Sequence, residues 1–331
     1  MKFGFIPTEG GPFYQEFVEE VLLGESLGFD SIWLEEHHGV KNHYWPSPLM
    51  GLAGVAARTE RIILGTDILI LPFYHPVRVA EDGALLDIMT QGRFILGVAI
   101  GYKPDEFALY QVPLEKRGAR FEEAVCLIKQ LWTEEKVDFE GQYYQVKGLK
   151  IEPRPFRSPH PPLWLGGWGE LALARAAKLG DAWIPGPTAS LDKLLQAQKI
   201  YHQNLRAIGV DPTTRPTPLT REVIIADSDE KACEMAERHL LINYRDEYGS
   251  GKWAHPLIGR EDAAPVADLA AISRDRFLVG SPETIIKQLQ KFKGAFGVDH
   301  LICRLFFAGM PHDFILNELR QLAREVIPVF K

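Results

Sequence analysis

The chain has 331 residues, of which 46% are hydrophobic and 24% are charged, which is enough for a sizeable core in one large domain or two small ones. Its formal net charge is −7, and it contains no long basic run, so neither nucleic acid nor an anionic membrane surface is expected as a partner. No apolar stretch approaches the roughly 20 residues of a membrane span.

Short apolar runs recur along the chain and are predicted to be β-strands. In chain order they are Lys2–Pro7, Ser31–Glu35, Ile62–Leu69, Phe94–Ile100, Pro162–Gly166, Ala182–Pro185, Leu219–Ala226 and His300–Phe306.

Amphipathic patterns between these runs predict helices. They include Tyr14–Leu27, Pro48–Thr59, Pro76–Met89, Arg120–Trp132, Glu170–Leu179, Asp192–Ile208, Asp229–Tyr244 and Pro282–Phe292. Eight strands with helices between them indicate parallel βα units, and this length suits a (β/α)8 TIM barrel with insertions at the barrel ends. An open doubly wound sheet is the alternative. It predicts a G-x-G-x-x-G turn after the first strand, where this chain has T-E-G-G-P.

Two stretches are too long to be simple connections. Glu134–Pro161 is rich in proline and aromatic residues, and Glu247–Ser281 carries glycine, proline and scattered charges. Long insertions of this kind often form lids or pocket walls. Because no composition shift or internal repeat divides the chain, residues 1–331 are expected to form one barrel domain.

The N-terminus and the cysteines bear on localisation. The first apolar run is too short for a signal peptide and is interrupted by Pro7. The three cysteines are Cys126, Cys233 and Cys303, and their spacing matches neither a disulfide framework nor a metal site. We therefore expect a cytoplasmic protein that is not anchored to a membrane.

The most unusual polar cluster is Glu35-Glu36-His37-His38, at the end of the second predicted strand. In a barrel, the C-terminal ends of the strands build the active site. Neighbouring side chains on a strand point to opposite faces, so His37 and His38 cannot both face the site, and a metal held by these two alone is disfavoured. Three interpretations remain: a polar strand end, a functional imidazole, or a metal ligand.

The third strand contains a carboxylate in an apolar setting. Burying Asp67 costs several kcal/mol unless it has a partner. It either bonds to loop amides beyond the buried part of the strand, or marks a strand end that is distorted towards a ligand. The following His75-Pro76 predicts a helix start with proline at the first position, and Arg78 is expected to pair with Glu81 along that helix.

Glycines mark two further strand ends. The segment Gly166-Gly167-Trp168-Gly169 joins a strand to a helix, where backbone N–H groups and the helix N-terminus favour an anion such as phosphate; a plain tight turn is the alternative. On the fourth strand, Gly97, Ala99 and Gly101 keep one face small. This fits either barrel taper or room for a flat ring system.

Together these motifs resemble the bacterial luciferase-like monooxygenase family. The resemblance is densest between Trp33 and Gly101, where E-H-H, P-S-P-L, T-E-R-I-I-L-G-T, L-P-x-x-H-P-V-R-x-A-E-D, L-L-D and G-R-F-x-x-G follow in the family's order. It continues through P-L-W-L-G-G, G-D-A-W and G-S-P-E-T-I. The combination is specific for the family, although not for the substrate of any one member.

The resemblance implies a (β/α)8 barrel that binds reduced flavin at the C-terminal ends of the strands. His37 takes the position of the family's site histidine, as acid or base, while His38, Glu35 and Glu36 lie behind it, and one of these carboxylates orients its ring. A cis peptide is implied at Asp67-Ile68, beneath one face of the flavin ring. The phosphate is implied to lie on Gly166, Gly167, Trp168 and Gly169, with Arg120 as its cation and Arg117 as the second choice.

The chain also departs from the luciferases. They carry a Cys-Arg pair on strand four, where this chain has Ala99 and Ile100, so efficient light emission is not expected. Other branches of the family use a deazaflavin coenzyme for hydride transfer. The E-H-H context and the short L-P-F-Y-H-P step favour FMN over deazaflavin, and a non-catalytic flavin-binding protein is a further alternative.

The predicted function is thus a flavin-dependent monooxygenase. It would use O2 and reduced FMN, supplied by a separate reductase, to oxidise a small apolar organic substrate, and we expect it to form a homo-oligomer. The aromatic candidates for the pocket walls are Phe13, Tyr14, Trp45, Tyr102, Tyr143, Tyr144, Trp168 and Trp253.

Overall fold

A curled sheet of parallel strands forms the centre of the fold. The computed structural model describes residues 1–10, 13–40, 44–245 and 269–331. The strands are β1 (Lys2–Ile6), β2 (Ser31–Leu34), β3 (Ile63–Thr66), β4 (Leu69–Ile70), β5 (Phe94–Ala99), β6 (Val137–Glu140), β7 (Gln145–Leu149), β8 (Leu163–Gly166), β9 (Ala182–Ile184), β10 (Pro218–Ile225), β11 (Leu278–Gly280) and β12 (His300–Arg304).

The strand order is that of a TIM barrel. Parallel neighbours run β10-β12-β1-β2-β3-β5-β8-β9, and β9 lies beside β10 at the other end of the series. The register pairs Lys2 with His300 and Ser31 with Ile63. The α/β barrel prediction is confirmed, and each of the eight predicted strands has a counterpart in this series. The short β4 follows β3 and pairs with β5, while β11 pairs with the end of β10.

Helices surround the sheet. They are α1 (Tyr14–Leu27), α2 (Pro48–Ala56), α3 (Pro76–Met89), α4 (Pro104–Leu109), α5 (Arg117–Thr133), α6 (Glu170–Leu179), α7 (Leu191–Ala207), α8 (Asp229–Met235), α9 (Leu241–Tyr244), α10 (Leu269–Ser273), α11 (Pro282–Phe296), α12 (His312–Gln321) and α13 (Ile327–Phe330). As predicted, Pro76 opens α3, and Arg78 pairs with Glu81 at 3.4 Å. None of the described helices has the length and apolar character needed to cross a bilayer.

Two apolar layers account for the apolar strand sequences. One layer lies between the strands and the helices. The other fills the barrel itself and includes Trp33, Trp164, Ile95 and Ile302, with the two indole rings stacked at 5.0 Å. Because both faces of the strands are buried, they read as near-continuous apolar runs. The packed interior closes the barrel beneath the C-terminal ends of the strands.

The two predicted insertions have different outcomes. Within 134–161, β6 and β7 form an antiparallel hairpin that the strand predictions did not include. Within 247–281, residues up to 268 lie outside the described part of the chain, and so does Trp253; the remainder contains α10 and β11. The helix predictions also omitted α4 and the C-terminal helices α12 and α13.

Candidate functional site

A cavity of about 280 Å³ opens at the C-terminal ends of the strands and is called the inner cavity here. Its lining brings together predicted site residues from four separate strand ends, those of β2, β3, β5 and β8. These are Glu35, Glu36, His37, Asp67, Ile68, Ala99, Gly166, Gly167 and Trp168. Of the aromatic candidates, Tyr102 also lines this cavity. Parallel strands explain this convergence, because their carboxyl ends meet at one edge of the barrel.

At the wall of the inner cavity, the third barrel strand is interrupted between the end of β3 at Thr66 and the start of β4 at Leu69. The peptide bond Asp67-Ile68 is cis, as the resemblance implied. Thr66 bonds through its hydroxyl to the backbone of Gly97 on β5, and a Cβ at Gly97 would lie 1.9 Å from the carbonyl oxygen of Thr66. Gly97 is therefore required by this close approach of β3 and β5.

Asp67 is a buried carboxyl in the inner cavity. The hydroxyl of Thr220 on β10 donates a hydrogen bond to it, so its partner comes from across the barrel and not from loop amides. Burial raises the pKa of Asp67 to about 6, although Thr220 and the charge of Arg304 lower it. A proton can therefore be held or released here near neutral pH.

His37 lies at the mouth of the inner cavity with 15% of its side chain exposed. Its Nδ1 lies 2.8 Å from Oε1 of Glu106 on α4, and the same oxygen accepts a hydrogen bond from the backbone N–H of His38. Burial would raise the pKa of Glu106, but these bonds and the nearby charges lower it overall. Because an ionised carboxylate can only accept, Nδ1 carries hydrogen and the proton-transfer position of the neutral ring is Nε2.

The expectation that Glu35 or Glu36 orients His37 was wrong. Glu36 instead bonds to Nε2 of His38 at 3.0 Å, to the backbone N–H of Ile70 and to the hydroxyl of Tyr74. Glu36 thus ties the end of β2 to β4. The carboxylate that orients His37 comes from α4 because that helix begins directly after β5 and lies over the same end of the barrel.

Glu35 belongs to a buried ionic cluster. Its carboxylate lies 2.9 Å from Nε of Arg304, and its backbone N–H donates to Oε1 of Glu9 at 2.7 Å. Burial, reinforced by the charge of Glu35, holds the pKa of Glu9 well above its ordinary value. Nη2 of Arg304 donates to the hydroxyl of Tyr44 at 2.9 Å. Glu35, Arg304 and Tyr44 all line the inner cavity, so one wall carries linked charges while the opposite wall is apolar.

The segment Gly166–Gly169, called the glycine turn, leads from β8 into α6. Gly167 and Gly169 have φ values of 140° and 87°, which favour glycine. The carbonyl oxygen of Gly167 accepts a hydrogen bond from Nε1 of Trp183 at 3.0 Å. Backbone N–H groups at the start of the ten-residue α6 therefore lie next to the inner cavity, which is an arrangement that suits a phosphate.

The two candidate phosphate cations have different surroundings. Arg117 lines the inner cavity, whereas Arg120 is not among its described lining residues. In the described part of the chain, the buried Nε of each arginine has no hydrogen-bond partner. The guanidinium of Arg120 lies over the rings of Tyr143 and Tyr144, at 5.5 and 5.3 Å from their centroids. The geometry therefore favours Arg117 as the phosphate cation, although the sequence analysis placed Arg120 first and Arg117 second.

The lining fits a flavin in both shape and chemistry. Ile68, Ala99 and Ile184 form an apolar surface, and a Cβ at Gly166 would lie 2.5 Å from Cδ1 of Ile68, so this wall has no room for a side chain at Gly166. Arg117, whose Nη1 donates to the carbonyl oxygen of Leu114 at 2.8 Å, and the glycine turn also line the cavity. In the described part of the chain, no group of three or more His, Cys, Asp or Glu side chains is arranged to hold a metal ion.

Sequence reasoning missed several residues of this site. Glu106 lies in the stretch G-Y-K-P-D-E-F, residues 101–107, and its position just after a barrel strand was the available signal. Arg304 ends the last barrel strand in I-C-R, where a buried charge in an apolar run gave the same signal as Asp67. Thr220 and Glu9 had no distinctive local pattern, since their roles depend on contacts across the barrel.

Comparisons with known proteins agree with this geometry. Residues 2–300 match the family described as luciferase-like monooxygenase. The oxygenase component of the flavin-dependent trigonelline monooxygenase of Acinetobacter baylyi is 27% identical over 334 residues, covering 96% of this chain and 90% of that protein. The F420-dependent glucose-6-phosphate dehydrogenase of Nocardia farcinica is 36% identical over 317 residues, covering 90% and 89%. Monooxygenase RslO1 from Streptomyces bottropensis has a TM-score of 0.84 at 25% identity over both whole chains.

Proposed function

The chain belongs to the luciferase-like monooxygenase family, and on that premise we propose that it is a monooxygenase that uses reduced FMN and O2 to oxidise a small apolar organic molecule. That it is an oxidoreductase using a flavin or deazaflavin follows from its relatives. The choice of FMN, the monooxygenation and the substrate class are the proposal. A separate reductase would supply the reduced FMN, and we expect a homo-oligomer.

One observation carries the proposal. The inner cavity joins an apolar wall to the glycine turn and Arg117, which together suit an apolar ring system attached to a phosphate. The apolar wall would bear one face of the ring, and the positive end of α6 would face the phosphate.

The second candidate function is hydride transfer from a reduced deazaflavin. The F420-dependent relative from Nocardia farcinica, at 36% identity over 90% of this chain, specifically favours it. The E-H-H context and the short L-P-F-Y-H-P step of this sequence support FMN instead. The two candidates share the site and differ in whether oxygen takes part.

When bound, reduced FMN supplies the electrons that activate dioxygen. The chain's own residues orient the ring, exclude water through the apolar wall, and move a proton. His37 would do the last of these at Nε2, because Glu106 fixes the hydrogen on Nδ1. Glu35 and Arg304 would hold the opposite wall in place through their ion pair.

The test follows the fate of oxygen in the native protein and in two variants. Protein loaded anaerobically with reduced FMN is exposed to ¹⁸O₂ with a panel of uncharged aromatic and alicyclic compounds, and products are analysed by mass spectrometry. We expect one labelled oxygen atom in an organic product. His37→Ala should lower the rate by about 10²–10⁴ while FMN affinity is kept.

His38→Ala is the matched control, because the His38 ring bonds to Glu36 and Tyr110 and does not line the inner cavity. It should lower stability more than rate. The proposal fails if substrate is oxidised without label, or if deazaflavin supports turnover where FMN does not. If His38→Ala lowered the rate and His37→Ala did not, His38 would be the acid–base residue instead of His37.

A further inference from the structure

A tryptophan behind the inner cavity holds one carbonyl group of the glycine turn. Nε1 of Trp183, in the middle of β9, donates a hydrogen bond to the carbonyl oxygen of Gly167 at 3.0 Å. Trp183 is 2% exposed and is not among the described lining residues of the cavity, whereas its neighbour Ile184 is. Because successive side chains of a strand point to opposite faces, the indole of Trp183 lies on the helix side of the sheet.

Contacts in the core fix the position of this indole. Its ring centroid lies 5.8 Å from that of Tyr201 on α7 and 6.3 Å from that of Phe296 on α11. It also meets the ring of Trp168, a lining residue of the inner cavity, edge to face at 5.4 Å. An indole nitrogen carries one hydrogen and can only donate. Trp183 therefore presents a rigid donor to the glycine turn.

The glycine turn depends on such a donor because its own backbone restrains it weakly. Gly167 and Gly169 have φ values of 140° and 87°, and glycine keeps more conformational freedom than any other residue until a contact orders it. Gly169 is the N-cap of α6 and brings no side chain to the first N–H groups of that helix, which have no partner within the helix. The orientation of the peptide groups in this turn is therefore set by groups outside it.

The hydrogen bond from Trp183 sets the direction of the N–H group that follows. The Gly167-Trp168 peptide is trans, so its C=O and N–H point to opposite sides of the chain. The carbonyl of Gly167 points to Trp183, and the N–H of Trp168 therefore points away from Trp183. Gly167 and Trp168 both line the inner cavity, on the side of the turn that is opposite to Trp183.

We infer that Trp183 is a positioning residue for the phosphate of the flavin. By holding the carbonyl of Gly167, it directs the N–H of Trp168 towards the inner cavity, where this N–H and the start of α6 donate to the phosphate. The inference rests on the proposed function, because it concerns the same cofactor. Trp183 acts through the backbone and does not touch the phosphate. Its contribution is to order the turn before the cofactor binds, so that binding loses less conformational entropy.

The test compares two flavins that differ only in the phosphate group. Reduced FMN and reduced riboflavin are titrated anaerobically into the native protein and into Trp183→Phe, and the ratio of the two dissociation constants measures the preference for the phosphate. Phenylalanine keeps an aromatic ring in the core but has no N–H. The preference for FMN should fall about three- to tenfold, as for the loss of one neutral hydrogen bond, while the affinity for riboflavin stays within about twofold of the native value.

Trp132→Phe is the matched control. Trp132 is 1% exposed, and its Nε1 also donates to a backbone carbonyl, that of Ala80, at 2.8 Å. It lies on α5 and is not among the lining residues of the inner cavity, so its replacement should leave the preference for FMN unchanged. If circular dichroism shows that Trp183→Phe does not fold, a benzothiophene analogue of tryptophan is placed at position 183. This analogue keeps the bicyclic shape and replaces only the N–H by sulfur.

A purely structural role of Trp183 would lower the stability, or the affinities for both flavins together, and leave their ratio unchanged. That result overturns the inference, as does a fall in the ratio that is below about twofold or is matched by Trp132→Phe. If the native protein binds FMN no more tightly than riboflavin, the proposed phosphate site fails, and the proposed function and the inference fail with it. The two failures are distinguishable, because the first is measured in the variants and the second in the native protein.

Discussion

Glu106→Gln tests how the site holds its histidine. Oε1 of Glu106 accepts hydrogen bonds from Nδ1 of His37 at 2.8 Å and from the backbone N–H of His38 at 3.0 Å. Hydrogen bonds to a charged group contribute about 1.5–3 kcal/mol each, and neutral ones about 0.5–1.5 kcal/mol. Glutamine keeps an acceptor oxygen but loses the charge, so the expected loss of unfolding free energy is about 2 kcal/mol at neutral pH.

The loss of unfolding free energy in Glu106→Gln should depend on pH in a defined direction. The pKa of Glu106 is lowered from its usual 4.5 in the folded protein, after burial has been outweighed by the hydrogen bond and charge of His37. A lowered pKa stabilises the fold above pH 4.5, and this contribution disappears as the pH falls through the folded-state value. The stability difference between the native protein and Glu106→Gln should therefore be largest near neutral pH and shrink in acid.

Urea unfolding is followed by circular dichroism at a series of pH values from acid to neutral, and it measures the difference in unfolding free energy between the native protein and Glu106→Gln. Asp105→Asn is the matched control, because Asp105 is an exposed neighbour on the same helix, and its replacement should cost a few tenths of a kcal/mol at most. A stability difference that does not change with pH, or that equals the control, would refute the assignment of Glu106 as the ionised partner of His37.

The remaining predictions concern the phosphate and the buried carboxyl. Arg117→Met should weaken FMN binding at least about tenfold while Arg120→Met leaves it nearly unchanged, as measured by calorimetry; the reverse order would return the phosphate contact to Arg120. Gly167→Asp should abolish FMN binding, because the new side chain adds both bulk and a repelling charge. Unchanged FMN affinity would show that the phosphate does not bind at the glycine turn. Because the pKa of Asp67 is raised from 3.8 to about 6, stability falls as the pH rises through that window. Asp67→Asn should therefore gain about 3 kcal/mol at pH 8 and almost nothing at pH 4 in urea unfolding, and equal effects at both pH values would contradict this.

The sequence predicted the barrel because its physical signal is local. Strands buried on both faces read as apolar runs, and Tyr14–Leu27, Pro76–Met89 and Glu170–Leu179 have the same bounds in the structure as in the prediction. The C-terminal helices were not predicted, although His312–Gln321 buries an apolar face that includes Ile315 and Leu319. The hairpin of β6 and β7 was hidden in a stretch whose proline and aromatic content resembles a loop.

The sequence predicted those site residues that lie at the ends of individual strands. His37, Asp67 and Gly167 follow or interrupt apolar runs, and the family resemblance placed them around one cavity. Their partners were not predictable in the same way. Glu106 lies 69 residues from His37, and Thr220 lies 153 residues from Asp67, so only the closed barrel brings each pair together.

An anaerobic competition titration tests the central claim, which is that the inner cavity selects reduced FMN. The protein is titrated with reduced FMN and with reduced deazaflavin coenzyme, separately and in mixture, and the bound fraction is followed by absorbance. We predict that reduced FMN binds more tightly and that Arg117→Met removes this preference, since that side chain lines the inner cavity together with the glycine turn. Tighter binding of the deazaflavin, with Arg117→Met leaving FMN affinity unchanged, would contradict the account.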